Sequence, residues 1–395
     1  VSGGRRLALV VQRYGADVTG GSESLARAVA ERLVPEDEVT VFTSCARDYV
    51  TWRNELPPGE QSLNGVRILR FPVEAERELA SFNRLSDTLY GSAGNEPQEL
   101  EWLKRQGPEV PRLVQRLEAE RACYDAVVFF TYLYFPTYWG LRAVPERAIL
   151  VPTAHDEPPL RLGIYRAVFS LPKAFAFCST PEEALVRARF VLAGKPTEVT
   201  GIGVEVPEGP DVEEFKIRYD VHGPYALYAG RIDAGKGCDA MLAHYARYRR
   251  DRGGAAELLL IGRLAMPEPR VPGVRYLGFL REDEKHAALA GARAVICPSP
   301  YESLSIVLLE AMALGAPVLA TARSPVLEDH CRRSNAGLFY GNQAEFVEAL
   351  DLLVNAEALR QRLGENGRAY VRDNYRWDAV LARYRGLIDA VAGRR

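Results

Sequence analysis

Short apolar runs alternate with longer amphipathic stretches through nearly the whole chain, and this alternation constrains the fold more than any other feature. Leu7 to Val11, Val39 to Thr43, Val66 to Phe71, Ala126 to Phe130, Ala148 to Val151 and Ala174 to Cys178 read as buried strands. Between the first two, Leu25, Val29 and Leu33 recur every fourth residue, which predicts a helix over Ser22 to Val34 with Ser22 as its N-cap. The pattern pauses at Gly201-Ile202-Gly203, Pro207, Gly209 and Pro210. It restarts with strand candidates at Ala226 to Ala229, Leu258 to Ile261, Val274 to Leu277, Ala294 to Cys297 and Pro317 to Ala320. Strand–helix alternation of this kind predicts an α/β protein of two Rossmann-like domains, each built on a mostly parallel sheet, the two facing each other across a cleft. The expected division is 1–205 and 206–376, with a final helix over about 377–395 packing back on the first domain. Glu76 to Arg121 breaks the strand alternation and reads as helical, with a Gly/Pro interruption around Gly91 to Pro97. That stretch either holds substrate-specific shape or simply covers the sheet.

Length and composition narrow the class. The chain has 395 residues and a formal net charge of −2, so it offers no basic surface of the kind that nucleic acid requires, and no nucleic-acid partner is expected. The six cysteines form no C-x-x-C pair, and Cys123, Cys178 and Cys297 lie in or beside apolar runs where a thiol behaves as a small hydrophobe. All six read as reduced, in a cytoplasmic setting. Leu7 to Val11 is too short for a signal h-region and nothing reaches spanning length, so membrane contact is expected to be peripheral, at the inner membrane face.

Three segments of the second half carry chemistry. Tyr228-Ala229-Gly230-Arg231-Ile232-Asp233-Ala234-Gly235-Lys236-Gly237 is a strand running into a glycine-flanked loop with two cations. A loop at the carboxyl end of a parallel strand faces the ligand crevice, where Arg231 as a planar fork and Lys236 as a point charge suit a diphosphate. Pro298 to Gly315 leads from a strand through a Pro-rich turn into a helix that Gly315 terminates. Its N-terminus, near Leu304 to Ile306, presents backbone N–H groups and a positive dipole end to a phosphate. Glu302 stands just before that helix and Glu310 inside its apolar run, where an unpaired charge is costly. A carboxylate there can accept two hydroxyls of a ribose or hexose. The third segment, Tyr276-Leu277-Gly278-Phe279-Leu280, is a strand end able to meet a base edge.

These residues resemble the donor-binding domain of the retaining family 4 glycosyltransferases, which have the GT-B fold. Glu302 and Glu310 match the family's E-x7-E motif, Arg231 and Lys236 its G-R-x-x-x-x-K-G segment, and Gly315-Ala316-Pro317-Val318 its G-x-P-V turn. In the first half, Gly20-Gly21-Ser22-Glu23 resembles the family's N-terminal glycine turn and His155 its interdomain histidine. The resemblance implies an N-terminal acceptor domain and a C-terminal sugar-nucleotide domain. It implies that Arg231 and Lys236 hold the donor diphosphate, that Glu310 holds the ribose, and that Glu302 with the Ser303, Leu304, Ser305 and Ile306 backbone holds the sugar and phosphate. It places Gly21 and Ser22 beside the donor phosphate, Phe279 beside the base, and His155 at the donor sugar near the reacting carbon. Leu304-Ser305 stands where many members carry Phe-Gly.

His155 lies in Val151-Pro152-Thr153-Ala154-His155-Asp156-Glu157-Pro158, just past a strand and beside two carboxylates able to raise its pKa. No D-x-D occurs in the chain, so no metal is expected: Arg231, Lys236 and a helix dipole neutralise the diphosphate instead. No further cofactor is expected, the nucleoside-diphosphate sugar being a co-substrate. The aromatic run Tyr132-Leu133-Tyr134-Phe135, with Tyr138 and Trp139, either lines an acceptor site or packs beneath the next helix. The expected activity is therefore hexose transfer from a GDP- or UDP-sugar to a glycan or lipid-linked acceptor. A GT-B epimerase or phosphorylase, or a non-catalytic sugar-nucleotide binder, is the alternative. A nicotinamide enzyme is disfavoured because no G-x-G-x-x-G follows either first strand.

Overall fold

The computed structural model describes residues 4–18, 20–91, 94–192, 194–254 and 256–393. The chain forms two compact units, Val1–Ile202 with Val380–Arg395, and Gly203–Ala379. In the first unit the strands are β1 (Arg6–Val10), β2 (Glu38–Ser44), β3 (Gly59–Leu63), β4 (Val66–Phe71), β5 (Ala126–Phe130), β6 (Ala148–Val151), β7 (Ala174–Phe177) and β8 (Thr197–Val199). They form one sheet in the order β3-β4-β2-β1-β5-β6-β7-β8. The central strands are apolar along their whole length because helices cover both faces of a parallel sheet; every residue of β5, β6 and β7 is buried.

β3 is an antiparallel edge strand on this mostly parallel sheet. It pairs antiparallel with β4 through a tight turn at Asn64-Gly65, whose φ values are 49° and 82°. An Asn-Gly dipeptide is the strongest short-range hairpin signal, but β3 (GEQSL) is exposed and polar, so hydrophobic patterning alone passes over it. The helix predicted over Ser22 to Val34 spans Gly21–Leu33, and Gly20, not Ser22, stands at its N-cap. Ser22 instead accepts from Gln12 Nε2 at 3.0 Å and donates to Glu23 Oε2 at 2.9 Å. The 76–121 stretch holds helices Leu79–Gly91, Glu96–Gln106 and Pro111–Ala119; residues 92–93 of its predicted interruption lie outside the described residues. The core takes up Trp102, Leu103, Leu113 and Leu117 from the last two of these helices.

The second unit holds β9 (Tyr225–Ala229), β10 (Glu257–Ile261), β11 (Val274–Gly278), β12 (Ala294–Cys297), β13 (Val318–Thr321) and β14 (Gly337–Tyr340), all parallel, in the order β11-β10-β9-β12-β13-β14. Each sheet thus reverses its winding once, between β1 and β5 in the first unit and between β9 and β12 in the second. In open α/β sheets the crevice outside the strand ends at such a switch point is where ligands bind. The last helix spans Trp377–Ala392; residues 394–395 of the predicted 377–395 lie outside the described residues. Its later part belongs to the first unit, where Asp389 meets Arg5 at 2.7 Å and Arg385 meets Glu36 at 3.0 Å. Of the cysteines expected to be buried, Cys178 and Cys297 are, whereas Cys123 ends a short 3-10 turn and is exposed. No helix among the described residues is long and apolar enough to cross a membrane.

Candidate functional site

In the second unit the switch point brings two predicted segments together. Arg231 follows β9 and Glu302 follows β12, and these strands are neighbours. Lys236 Nζ lies 2.7 Å from Glu302 Oε1, in a partly buried ion pair. The Arg231 guanidinium is paired with Asp233, whose other oxygen accepts from the Lys236 backbone N–H at 2.8 Å and so shapes the turn between the two cations. Each of the two cations therefore faces a carboxylate. A close backbone approach is built in beside them: a Cβ on Gly262, at the end of β10, would stand 2.0 Å from the Gly230 carbonyl oxygen.

The helix after β12 is Ile306–Leu314, and Ser305 is its N-cap with φ 72° and ψ 83°. A non-glycine residue in that region is strained by roughly 1–2 kcal/mol, and such strain gathers at functional sites. What holds the turn is His330, which the sequence did not single out. Its Nε2 lies 3.0 Å from the Leu304 carbonyl oxygen and its Nδ1 lies 3.1 Å from the Tyr370 hydroxyl. Burial pushes its pKa down to about 4, so the ring is neutral, donating to Leu304 and accepting from Tyr370.

Glu310 is 8% exposed, about one turn into the helix. Its Oε1 takes the Lys285 ammonium at 2.9 Å, and its Oε2 is buried with no hydrogen-bond partner among the described residues. Burial pushes the carboxyl up, but His286 and the Lys285 charge outweigh it and hold the group below its ordinary value. Lys285 also meets Glu282 at 2.7 Å, and against the cost of burial these carboxylates raise its pKa. Glu282, His286 and Glu310 place ligand atoms within 4.8 Å of one another, a spacing a metal ion could use. The Lys285 ammonium is already the counter-cation of both carboxylates. Phe279, after β11, is 71% exposed, an aromatic face open to stacking.

In the first unit the ends of β1, β5 and β6 carry the predicted residues. Gly21 opens the helix after β1, and a Cβ there would meet nothing within 4 Å. The turn before it is tied by a buried knot: Glu23 accepts from Gln12 Nε2 at 2.9 Å and from Arg13 Nε at 2.9 Å. His155 follows β6, half-buried, with Nε2 3.3 Å from Glu157 Oε2; Glu157 in turn accepts from the Tyr132 hydroxyl at 2.8 Å. Asp156, the other neighbouring carboxylate, pairs instead with Arg189 at 2.7 Å. Two threonines with positive φ, Thr131 (69°) and Thr153 (50°), end the adjacent strands and touch through their hydroxyls at 3.1 Å.

Beneath this loop lies Glu182, also not singled out from sequence. It is 1% exposed and accepts from the backbone N–H of Ala154 and of Cys178, each at 2.6 Å. It thereby staples the residue before His155 to the end of β7. Burial pushes its carboxyl up to about 7, against the two N–H groups and the His155 charge, which lower it. Of the aromatic run, Tyr132, Phe135 and Tyr138 are core residues and Trp139 is 37% exposed, so packing accounts for most of it.

Residues 211–370 match the family model described as glycosyl transferases group 1. Among curated proteins, the chain is 29% identical over 206 residues to a phosphatidyl-myo-inositol mannosyltransferase of Mycobacterium leprae, covering 48% of this chain and 54% of that protein. The matched stretch spans about half or less of the length of such relatives. Among solved structures, sucrose-phosphate synthase from Thermosynechococcus elongatus superposes with a TM-score of 0.73 at 19% identity, over 98% of this chain and 100% of that one. HepE of Anabaena, in complex with UDP and glucose, does so at 0.71 and 14% identity, over 98% and 100%. The fold is GT-B, two Rossmann-like α/β units. The Arg231–Lys236 loop and the Glu302–Glu310 helix start are both set at the switch point of the matched unit, and it is this unit that is similar to the glycosyl transferases group 1.

Proposed function

We propose that this protein is a retaining, metal-independent glycosyltransferase that moves a hexose from a UDP- or GDP-sugar to a hydroxyl of a glycan or lipid-linked acceptor. The observation that carries the reading is Glu310: a carboxylate held charged, with one oxygen on Lys285 and the other buried and, among the described residues, without a hydrogen-bond partner. A buried acceptor left unsatisfied is costly, and a ribose hydroxyl would satisfy it. The mannosyltransferase relative and the UDP complex of HepE support a nucleotide-sugar donor.

On this reading the donor diphosphate takes the Lys236 ammonium from Glu302 and the Arg231 fork from Asp233. Glu302 is thereby released to accept hydroxyls of the sugar. The backbone N–H groups at the start of Ile306–Leu314 add the positive end of a helix to the same diphosphate. Gly21, Ser22 and His155 are assigned to the donor from the first unit, on the family resemblance. The bond from the anomeric carbon to the diphosphate oxygen breaks while the acceptor oxygen bonds the same face, and the acceptor proton passes to the leaving diphosphate. No protein nucleophile is needed, and Arg231 and Lys236 stabilise the charge that develops.

A thermal-shift screen against UDP, GDP, ADP and their sugars tests the donor class, since a ligand of the folded state raises its melting temperature by mass action. Stabilisation by UDP or GDP that disappears in Glu310→Gln supports the reading. Indifference to all three nucleotides would refute it. Product NMR with an α-linked donor should show an α linkage, and quenched enzyme should carry no added hexose by mass spectrometry. A β product overturns retention, and a hexose adduct on Glu302 overturns the same-face route.

A further inference from the structure

The second unit contains a cavity of about 640 Å³ at the opposite ends of its strands from Arg231 and Glu302. Tyr225 begins β9, Arg293 immediately precedes β12, and Pro317 immediately precedes β13; all three line it. Arg360 and Arg368, from the helix Glu357–Asn374, complete the wall.

Three guanidiniums therefore converge on one space. Arg293 Nη1 and Arg360 Nη1 donate to the same carbonyl oxygen, that of Val354, at 2.6 and 2.9 Å, so the two like charges are neighbours. Arg368 is laid against the backbone of Gly315, where a Cβ would stand 2.0 Å from its Nη1. Among the described residues none of the three is paired with a carboxylate. Other arginines of the unit do sit on acids, such as Arg218 on Glu214 and Glu284 and Arg332 on Glu328, whereas Arg293, Arg360 and Arg368 are gathered on one space without such a pairing. The carbonyl ends of Gln343–Asn355 and Ile306–Leu314 explain part of the clustering, each worth about half a negative charge. The exposed Glu365 on the rim offsets one charge more. Lys216 is neutralised by Glu213 at 2.7 Å. Burial, then the Arg293 charge, holds the Arg360 pKa below the ordinary arginine value, against Glu357 at the start of the same helix, which raises it.

We propose that this cavity is a second anion site, distinct from the proposed donor site, and that it takes a sugar phosphate on Arg293, Arg360 and Arg368. Planar guanidinium forks match phosphate oxygens bidentately, which a backbone carbonyl on one nitrogen leaves possible. The volume exceeds what a lone phosphate fills and falls within the range of small-molecule pockets, so the ester is preferred to the free ion.

Isothermal titration of the full chain with glucose 6-phosphate, and separately with inorganic phosphate, tests the site. Arg368→Glu is the informative variant, because the side chain is exposed and makes no hydrogen bond among the described residues; its circular dichroism melt should stay close to that of wild type. The expected result is saturable binding of the ester, tighter than of inorganic phosphate, weakened roughly tenfold or more by Arg368→Glu and unchanged by Lys236→Ala. Binding abolished by Lys236→Ala but indifferent to Arg368→Glu would place the anion in the diphosphate loop and overturn the proposal. Absence of saturable binding would overturn it as well, and an ester no tighter than inorganic phosphate would overturn the assignment of a sugar phosphate.

Discussion

Replacing Glu182 with Gln removes a titratable proton from the interior of the first unit while keeping the side chain's volume. In the folded protein burial raises this carboxyl from an ordinary 4.5 to about 7. As pH climbs, the unfolded chain gives up the Glu182 proton first, so between these values the native state binds more protons than the unfolded one. Its stabilising contribution is complete below the unfolded value and is lost as pH rises through the folded one. From about pH 5 to about pH 8 the loss amounts to about 2.5 kcal/mol. A carboxamide has one acceptor oxygen for two N–H groups, so the amide of Ala154 or of Cys178 must face an NH₂. That costs about 1–3 kcal/mol at any pH. Glu182→Gln should therefore be the less stable protein near pH 5, and the gap should close or reverse by pH 8. Urea unfolding followed by tryptophan emission reads this directly, because Trp52, Trp102 and Trp139 belong to the first unit. A Trp377→Phe background keeps all of the emission there. Stability curves for the two proteins that run parallel across the pH range would refute the reasoning.

Arg231→Ala and Lys236→Ala should each lower transfer about ten- to a hundredfold, the worth of one charge-assisted phosphate contact, with the thermal melt unchanged. Full activity in both variants would discard the diphosphate assignment. Transfer should persist in excess EDTA, and loss that manganese or magnesium restores would show that Glu282, His286 and Glu310 bind a metal after all. His330 has a depressed pKa, so its contribution is present above about pH 6.5 and is lost as pH falls towards 4, by about 3 kcal/mol in all. Acid unfolding of wild type should accordingly be steeper than that of His330→Gln, and equal steepness would mean that the ring is not neutral and buried.

The strands that form the two sheet centres were legible because a strand covered on both faces must be apolar throughout, and runs such as Ala126 to Phe130 can satisfy little else. The same reasoning is blind to β3, whose GEQSL faces solvent, and to the edge strands β8 and β14, whose residues are mostly only half-buried and so form no fully apolar run. Residue type and spacing also made Arg231, Lys236, Glu302 and Glu310 candidates, since a loop after a parallel strand and a helix start after the next are local features. What those side chains touch is another matter. Lys236 meets Glu302 only because β9 and β12, far apart in sequence, are neighbours at the switch point. Glu182 looks like a solvated acid in the first turn of a helix until β6 and β7 pair and bring the N–H groups of Ala154 and Cys178 onto it. His330 is an unremarkable helical histidine until the fold sets it under Leu304. Arg293, Arg360 and Arg368 share a cavity only because two helices end beside the starts of three strands. Sequence determined which segments could be strands and helices, because periodicity is a property of the chain. Which charges became partners was decided by tertiary structure, because Coulomb interactions and hydrogen bonds depend on distances that only the packed sheets establish.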